Sequence, residues 1–248
     1  MNEPSPHIMS VHDRVVANYL ETTSSRSGTD PTEIIASTEG VARMLGDWAP
    51  QAGEVVVDLG SGKGEGCALA LRRGAVSATG VNLSTGENIL ARQIVPGATF
   101  VDSDLVSWLS AAESNSVDRI MALNILEHLD KDTLAAVLTE SARVLRPTGC
   151  LVAVTPNATS AYGSMTRYWD ITHHIAFTPS SVRQIGILCG FRQFAFRECG
   201  PRPHGVISAI RYMLWQMIRL GIKARLMIEV ASTKGGVYTA DMMMRLAK

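Results

Sequence analysis

Two kinds of hydrophobic pattern alternate along this chain, and their alternation is the feature that most restricts its fold. Short apolar runs rich in β-branched residues are separated by segments in which apolar residues recur at helical spacing. Strands joined in this way by helices form a parallel sheet that is covered on both faces. The sequence therefore predicts a doubly wound α/β fold, with strands at 54–59, 77–81, 98–101, 117–123 and 150–154.

The pattern extends beyond this core on both sides. Helical spacing precedes the first strand, and two more strand-like segments follow the last one, with a helical insertion at about 201–235 between them. We place these two strands together at one edge of the sheet. The predicted organisation is a tail at 1–10 and helices at 11–20 and 31–50, a core at 51–157, and a C-terminal segment of the same domain at 158–248 that includes strands at 191–197 and 236–245.

The composition indicates a folded protein without a general affinity for nucleic acids. Hydrophobic residues make up 46% of the chain and charged residues 19%, which is enough for a large core and excludes a disordered chain. The 23 Lys and Arg residues are balanced by 23 Asp and Glu residues. The chain thus lacks the basic excess with which a general nucleic-acid binder neutralises phosphates, and we expect no nucleic-acid partner.

The cysteines and the N-terminus predict a cytoplasmic protein. The four cysteines form neither a Cys-x-x-Cys pair nor a Cys/His cluster at zinc spacing, so we expect reduced thiols. Residues 1–10 contain no apolar segment typical of a secretory signal. No uninterrupted apolar run reaches the roughly 18 residues of a membrane-spanning helix.

The first predicted strand ends in a glycine-rich loop, Asp58 to Gly66, that leads into a helical segment. Glycine lets the backbone approach a ligand and a helix N-terminus presents free N–H groups, so the loop is typical of a cofactor-binding turn. A dinucleotide fingerprint starting at Gly60 needs glycine where this chain has Glu65, and a P-loop needs Gly-Lys-Ser/Thr, which is absent. Asp58 would also repel a pyrophosphate but attract a ligand that carries an amino group and a sulfonium.

At this loop the sequence resembles the class I S-adenosylmethionine (SAM)-dependent methyltransferases. Their first motif, a strand followed by Asp-x-Gly-x-Gly-x-Gly, matches residues 55–64 position by position. Residues 118–129, which end in Leu-Glu-His-Leu, and residues 140–149, which contain Arg-Val-Leu-Arg-Pro, also resemble the family. The resemblance covers about 54–157 and implies a Rossmann-like methyltransferase fold with a mostly parallel, seven-stranded sheet, and SAM as the cofactor.

The same resemblance implies a set of cofactor-binding residues. In the family, an acidic residue at the end of the second strand accepts hydrogen bonds from both ribose hydroxyls; this chain has Asn82, which can accept one bond and donate another. A plain turn role fits Asn82 equally well. The Asp-Leu pair at 104–105 resembles the family's adenine contact. The implied cofactor-binding residues are Asp58, Gly60, Ser61, Gly62, Asn82, Leu83, Asp104, Leu105 and Asn124.

A later stretch resembles a narrower group of proteins. Residues 168–179, followed by Gly-Phe at 190–191, resemble the phrase Asp-x-Thr-His-Glu-x-Ala-Phe-Thr-Pro of bacterial methyltransferases associated with cell-surface polysaccharide synthesis. His174 stands where those proteins carry Glu. This resemblance implies O-methylation of a saccharide, free or lipid-linked, or of a related small hydroxylated metabolite.

A sugar hydroxyl is a weak nucleophile at neutral pH, so a base that takes its proton during an in-line methyl transfer should accelerate the reaction, and histidine has a suitable pKa range. His173 is our first candidate, because its segment can cap the cofactor cleft and Asp170 could orient its ring. His128 is the second candidate and His174 ranks below both. The acidic residues and histidine at the strand ends have no recognised ligand spacing, so we expect no metal.

The stretch 201–228 contains no acidic residue and interleaves basic with apolar side chains, which predicts a basic amphipathic helix. Apolar residues at helical spacing usually face a core, so our first expectation is that this helix packs on the sheet. The alternatives are a homodimer face and peripheral contact of 206–228 with the inner face of a membrane.

Two other functions remain open from the sequence. A quinone- or phenol-type O-methyltransferase would need less help from a base, because its acceptor is more acidic. A non-enzymatic SAM-binding regulator is the third possibility, since Asn82 departs from the family's acidic residue.

Overall fold

The structure, a computed structural model, describes residue 15 and residues 30–231 and 236–248. The predicted tail at 1–10 and nearly all of the predicted helix at 11–20 lie outside the described residues. Within them, the chain forms one seven-stranded sheet with helices on both faces. The strands are β1 (Val55–Leu59), β2 (Ser77–Asn82), β3 (Thr99–Asp102), β4 (Val117–Leu123), β5 (Leu145–Pro156), β6 (Gln193–Glu198) and β7 (Asp241–Ala247).

The helices alternate with the strands as predicted, and the predicted helical insertion between the last two strands is the longest of those described. They are α1 (Pro31–Leu45), α2 (Glu65–Arg72), α3 (Thr85–Ile94), α4 (Leu105–Ala111), α5 (Lys131–Val144), α6 (Gly163–Tyr168), α7 (Pro179–Leu188) and α8 (Val206–Val230). Short 3-10 turns lie at Gly46–Trp48 and Leu126–His128. Aspartates cap several helices: the side chains of Asp30, Asp104 and Asp130 accept backbone N–H groups at the starts of α1, α4 and α5.

The strand order is β3-β2-β1-β4-β5-β7-β6, in which β7 is antiparallel to both of its neighbours and the other pairs are parallel. This confirms the predicted doubly wound, mostly parallel, seven-stranded sheet and the position of the last two strands together at one side. β2 and β3 lie on one side of β1, and β4 and β5 lie on the other side. The carboxyl ends of β1 and β4 therefore flank the crevice where such sheets bind ligands.

Two predicted strand boundaries are wrong. β5 begins at Leu145, earlier than the predicted residue 150, because Leu145 is fully buried and pairs with Val117 of β4. β7 begins at Asp241 and not at residue 236. In the preceding segment, the side-chain amide of Asn157 donates to the carbonyls of Val237 and Thr239, at 2.8 Å each, so a side chain satisfies groups that a strand would pair with its neighbour.

The expectation that 206–228 packs its apolar side chains on the sheet is also wrong. In α8 only Ser208 is buried, and most of the large apolar side chains of the helix are exposed. Among the described residues, no helix has the length and apolarity needed to cross a membrane.

Candidate active site

A cavity of about 850 Å³ lies at the carboxyl ends of β1, β2 and β4. It brings together all of the predicted cofactor-binding residues and two of the three candidate histidines, His128 and His174. Residues from α1, including Ser37 and Val41, and Thr172 from the segment before α7 complete its wall. The motifs that the sequence spreads over about 140 positions therefore line one space.

The glycine loop has the backbone shape that the motif predicts. Gly60, Gly62 and Gly64 all have positive φ, at 68°, 49° and 90°, a region that side chains with a Cβ rarely adopt. A Cβ on Gly60 would lie 2.5 Å from Cγ1 of Ile125, and one on Gly66 would lie 2.3 Å from Oδ2 of Asp58. The loop can therefore pack against Ile125 and Asp58 in this way only because these positions carry no side chain.

Asp58 lies under this loop with only 3% of its surface exposed. Burial raises the pKa of its carboxyl group from 3.8 to about 8, and the nearby Glu65 carboxylate adds to the shift. A buried carboxyl group of this kind is costly to ionise unless a cation comes close. A cationic ligand in the cavity would thus stabilise the ionised form of the Asp58 carboxyl group.

At the end of β2, Asn82 contacts a residue that sequence reasoning missed. The Nδ2 of Asn82 donates to Oε2 of Glu87 in the first turns of α3, at 2.9 Å. Glu87 also lines the cavity and is 5% exposed. The sequence shows only that Glu87 is an acidic residue five positions after the strand. A residue of this kind equally fits the first turn of a helix capped by Ser84, and the Ser84 side chain does accept the Glu87 N–H.

The remaining cofactor candidates line the cavity from the ends of the neighbouring strands. Asp104 caps α4, where its Oδ1 accepts the N–H of Ser107 at 2.9 Å. Asn124 follows β4 with a φ of 54°. Ser61 is buried, and its Oγ has no hydrogen-bond partner in the described part of the chain. A buried hydroxyl without a partner is a group that a polar ligand could satisfy.

His128 lines the cavity and is held by a relay of hydrogen bonds. Its Nδ1 lies 2.7 Å from Oγ1 of Thr172, and that hydroxyl donates to Oδ1 of Asp170 at 2.6 Å. Because the single hydroxyl proton of Thr172 is directed at Asp170, Nδ1 of His128 must donate to Thr172. In the neutral form of His128 this arrangement puts the lone pair on Nε2.

His173 lies behind His128 and does not line the cavity. The two rings pack edge to face with their centroids 4.7 Å apart, and Nδ1 of His173 donates to the carbonyl of Thr166 at 3.0 Å. Asp170 was expected to orient the ring of His173, but Nδ1 of that ring is bonded to Thr166, and Oδ1 of Asp170 accepts from Thr172. The pKa of Asp170 lies below its usual value. Partial burial alone would raise this pKa, but the hydrogen bonds from Thr172 and the charges of both histidines lower it.

One group of side chains near the cavity could hold a metal ion. Glu127, His128 and His173 each offer a ligand atom, and these atoms lie within 4.8 Å of one another. No ion is needed to explain their position, since the ring of His128 packs against that of His173 and contacts Thr172. The expectation of no metal therefore stays a prediction.

A chelator tests that prediction directly. We expect turnover to be unchanged after dialysis against EDTA, because Thr172 and Asp170 hold the ring of His128 in place without a metal. The measurement compares the rates of treated and untreated protein, with and without added Zn²⁺, Mg²⁺ or Mn²⁺. Loss of turnover that a divalent cation restores would contradict the prediction.

Comparisons with known proteins show what the part of the chain around this cavity is similar to. Residues 56–149 match the family model described as "Methyltransferase domain". The match spans β1 to the early part of β5, which supplies most of the cavity wall. A comparison with curated protein sequences finds no significant match.

Solved structures share the fold across nearly the whole chain. A SAM-dependent methyltransferase from Archaeoglobus fulgidus has 18% identity and a TM-score of 0.66, over 93% of this chain and 99% of that one. A putative methyltransferase, solved in complex with the Haloferax volcanii Trm112 activator, has 15% identity and a TM-score of 0.61, over 97% and 98%. Phosphoethanolamine N-methyltransferase 2 from Haemonchus contortus, solved with S-adenosylhomocysteine, has 15% identity and a TM-score of 0.60, over 97% and 61%. These likenesses confirm the predicted Rossmann-like methyltransferase fold, and the first of these neighbours is described as SAM-dependent.

Proposed function

We propose that this chain, whose residues 56–149 match a methyltransferase domain, is a SAM-dependent methyltransferase that methylates a hydroxyl group of a saccharide or a related small hydroxylated metabolite. The observation that carries the proposal is that His128, with its lone pair on Nε2, lines the same cavity as Asp58 and the glycine loop. The buried carboxyl group of Asp58 and the proposed base His128 thus line the same cavity.

The residues of the cavity fit the cofactor. When bound, SAM supplies an electrophilic methyl group on a sulfonium. Asp58 would accept its cationic end, the loop with Gly60, Ser61 and Gly62 leaves room for close backbone approach, and the unpartnered Oγ of Ser61 has a hydrogen bond to give. Leu83, Asp104, Leu105 and Asn124 line the rest of the proposed cofactor site.

We infer that Glu87 provides the carboxylate that the family carries at the end of β2. Asn82 offers its amide to Glu87 and holds that carboxylate in the cavity wall. A diol donates two hydrogen bonds, and a carboxylate accepts both, whereas the amide of Asn82 accepts through one oxygen only. In this proposal Asn82 is a positioning residue for Glu87.

Glu87→Gln is expected to weaken SAM binding about tenfold, because charge-assisted hydrogen bonds are stronger than neutral ones. Asn82→Asp should weaken it as well, since two carboxylates would then face each other. The double variant Asn82→Asp/Glu87→Gln restores one carboxylate and one amide and should recover much of the affinity. Isothermal titration with SAM measures all four proteins. Full affinity in Glu87→Gln would place ribose recognition elsewhere.

The base in this proposal is His128. Thr172 and Asp170 fix its tautomer, and Asp170 stabilises the imidazolium that forms when Nε2 takes the acceptor's proton. His173, the first candidate from the sequence, packs against the ring of His128. In this proposal it supports that ring and does not take the acceptor's proton itself. The proposed catalytic group is therefore His128, with Asp170 acting on it through Thr172.

The acceptor separates this proposal from its alternatives. An ordered base supports a hydroxyl acceptor of low acidity, whereas a quinone- or phenol-type acceptor would depend on it less. Some structural neighbours are named for N-methylation, so amines belong in any acceptor screen. The saccharide class rests on the resemblance of residues 168–179 to methyltransferases of cell-surface polysaccharide synthesis.

The test is to incubate the protein with SAM and separate panels of sugars, nucleotide sugars, phenols and amines, and to detect products by mass spectrometry. The proposal expects a methyl group on a sugar hydroxyl. Methylation of phenols or amines alone would replace the proposed acceptor class. SAM binding without product in every panel would favour the SAM-binding regulator.

A further inference from the structure

Helix α8 turns its apolar side away from the rest of the described chain. Only one of its 25 residues, Ser208, is buried. Since successive residues are about 100° apart around a helix, the partly buried positions lie on one side of α8. The opposite side carries exposed apolar residues at successive turns, among them Val206, Ile210, Met213, Met217, Leu220 and Ile228.

Polar contacts hold α8 in this orientation. Nε1 of Trp215 and Nε of Arg219 both donate to the carboxylate of Glu198, at 3.1 Å each. Trp215 and Arg219 lie on the partly buried side of the helix. The protein therefore binds the more polar side of α8 and leaves the apolar side exposed, which is the reverse of a helix that covers a core.

The charges beside the apolar face complement an anionic surface. Arg211, which is exposed, and Lys223, which is partly buried, lie on opposite flanks of that face, and neither forms an ion pair within the described part of the chain. Two copies of α8 pairing through this face would bring cationic flanks together, because the one acidic residue of the helix, Glu229, is already paired with Arg225. The apolar face also covers about half of the helix circumference, which is wider than the narrow seam of a two-helix coil.

The position of α8 relates this surface to the cavity. β6 is antiparallel to β7, and β7 is antiparallel to β5. β6 thus runs in the same direction as β1. Its last residue, Glu198, therefore lies at the carboxyl-end side of the sheet, where the glycine loop also lies. Because Glu198 contacts α8, the helix is attached on the carboxyl-end side of the sheet, which is also the side of the cavity.

We propose that α8 docks on the surface of an anionic lipid bilayer. Its apolar face enters the boundary between headgroups and acyl chains, while Arg211 and Lys223 contact anionic headgroups. The helix is about 37 Å long at 1.5 Å per residue and lies in the plane of the surface. This surface is outside the cavity, so the inference does not depend on the proposed reaction.

Co-sedimentation of the full chain with vesicles tests the proposal. We expect binding to vesicles that contain phosphatidylglycerol, much weaker binding to pure phosphatidylcholine, and a decrease with added salt. Met217→Glu, at the centre of the apolar face, should lower the partition coefficient at least about tenfold. Arg211→Ala and Lys223→Ala should each lower it about fivefold on anionic vesicles.

The matched control is Leu188→Glu, which places the same charge at an exposed leucine outside α8. Leu188 is 82% exposed and Met217 is 70% exposed, so neither change disturbs a core, and circular dichroism checks folding. Absence of wild-type binding, or equal losses in the α8 variant and the control, would overturn the proposal. So would a wild-type dimer that Met217→Glu dissociates and that binds no vesicles, since α8 would then be an interface between copies.

Discussion

Asp58→Asn is expected to weaken SAM binding about 100-fold, because it removes the buried carboxylate that would accept the cationic end of the cofactor. The substitution keeps the size of the side chain and replaces an ionisable group by a neutral one. The ligand-free fold should therefore be as stable as that of the wild type, or more stable. Isothermal titration and thermal unfolding measure the two effects separately, and a loss of stability together with affinity would point to a structural role.

The pKa of Asp58 gives this prediction a signature in pH. Burial raises the folded-state pKa of this group from 3.8 to about 8, so in the ligand-free protein the carboxyl is mostly protonated below pH 8. A cationic ligand binds the ionised form, so SAM affinity should increase with pH up to about 8 and then level off. Because the raised pKa favours the neutral folded state, the contribution of Asp58 to stability is full below pH 3.8 and is lost as the pH rises through 8. Asp58→Asn should abolish both trends.

His128→Ala is expected to lower turnover by about 10²- to 10⁴-fold while changing SAM affinity by less than about twofold. The reason is that His128 would act on the acceptor's proton and not on the cofactor. The wild-type rate should rise with pH as the imidazole loses its proton, and this rise should be absent in the variant. Single-turnover kinetics with a hydroxyl acceptor make the comparison.

Two variants show whether the relay acts through His128. Thr172→Val removes the hydroxyl that accepts from Nδ1 of His128, so it should lower the rate and shift the pH profile. His173→Ala removes the neighbouring ring but leaves the relay, so it should reduce the rate less than His128→Ala does. A larger loss in His173→Ala with little change in His128→Ala would exchange the two roles and restore the first expectation from the sequence.

From local spacing, the sequence predicted which of the cavity's residues lie close together. The run from Asp58 to Gly64 follows a strand directly, so its residues have fixed positions relative to one another, and all of the predicted cofactor residues line one cavity. The order of strands and helices was predictable for the same reason, since apolar periodicity distinguishes the two along most of the chain.

The sequence did not predict contacts that depend on how elements pack in three dimensions. Glu87 reaches the cavity because α3 begins so close to the end of β2 that its side chain meets Asn82. His128 and His173 are 45 positions apart, and only the folded chain shows which of them faces the cavity. The apolar spacing of α8 predicted a helix, but periodicity alone does not say whether an apolar face turns inward or outward.

The most direct test of the account is transfer of an isotopically labelled methyl group from SAM to a sugar hydroxyl, followed by mass spectrometry of wild type, Asp58→Asn and His128→Ala. The account predicts a labelled O-methyl product with the wild type, loss of product with Asp58→Asn that higher SAM concentrations partly restore, and a slow rate with His128→Ala that they do not restore. Equal product from all three proteins would contradict the assignment of the site. No labelled product with the wild type on any hydroxyl acceptor would contradict the proposed reaction.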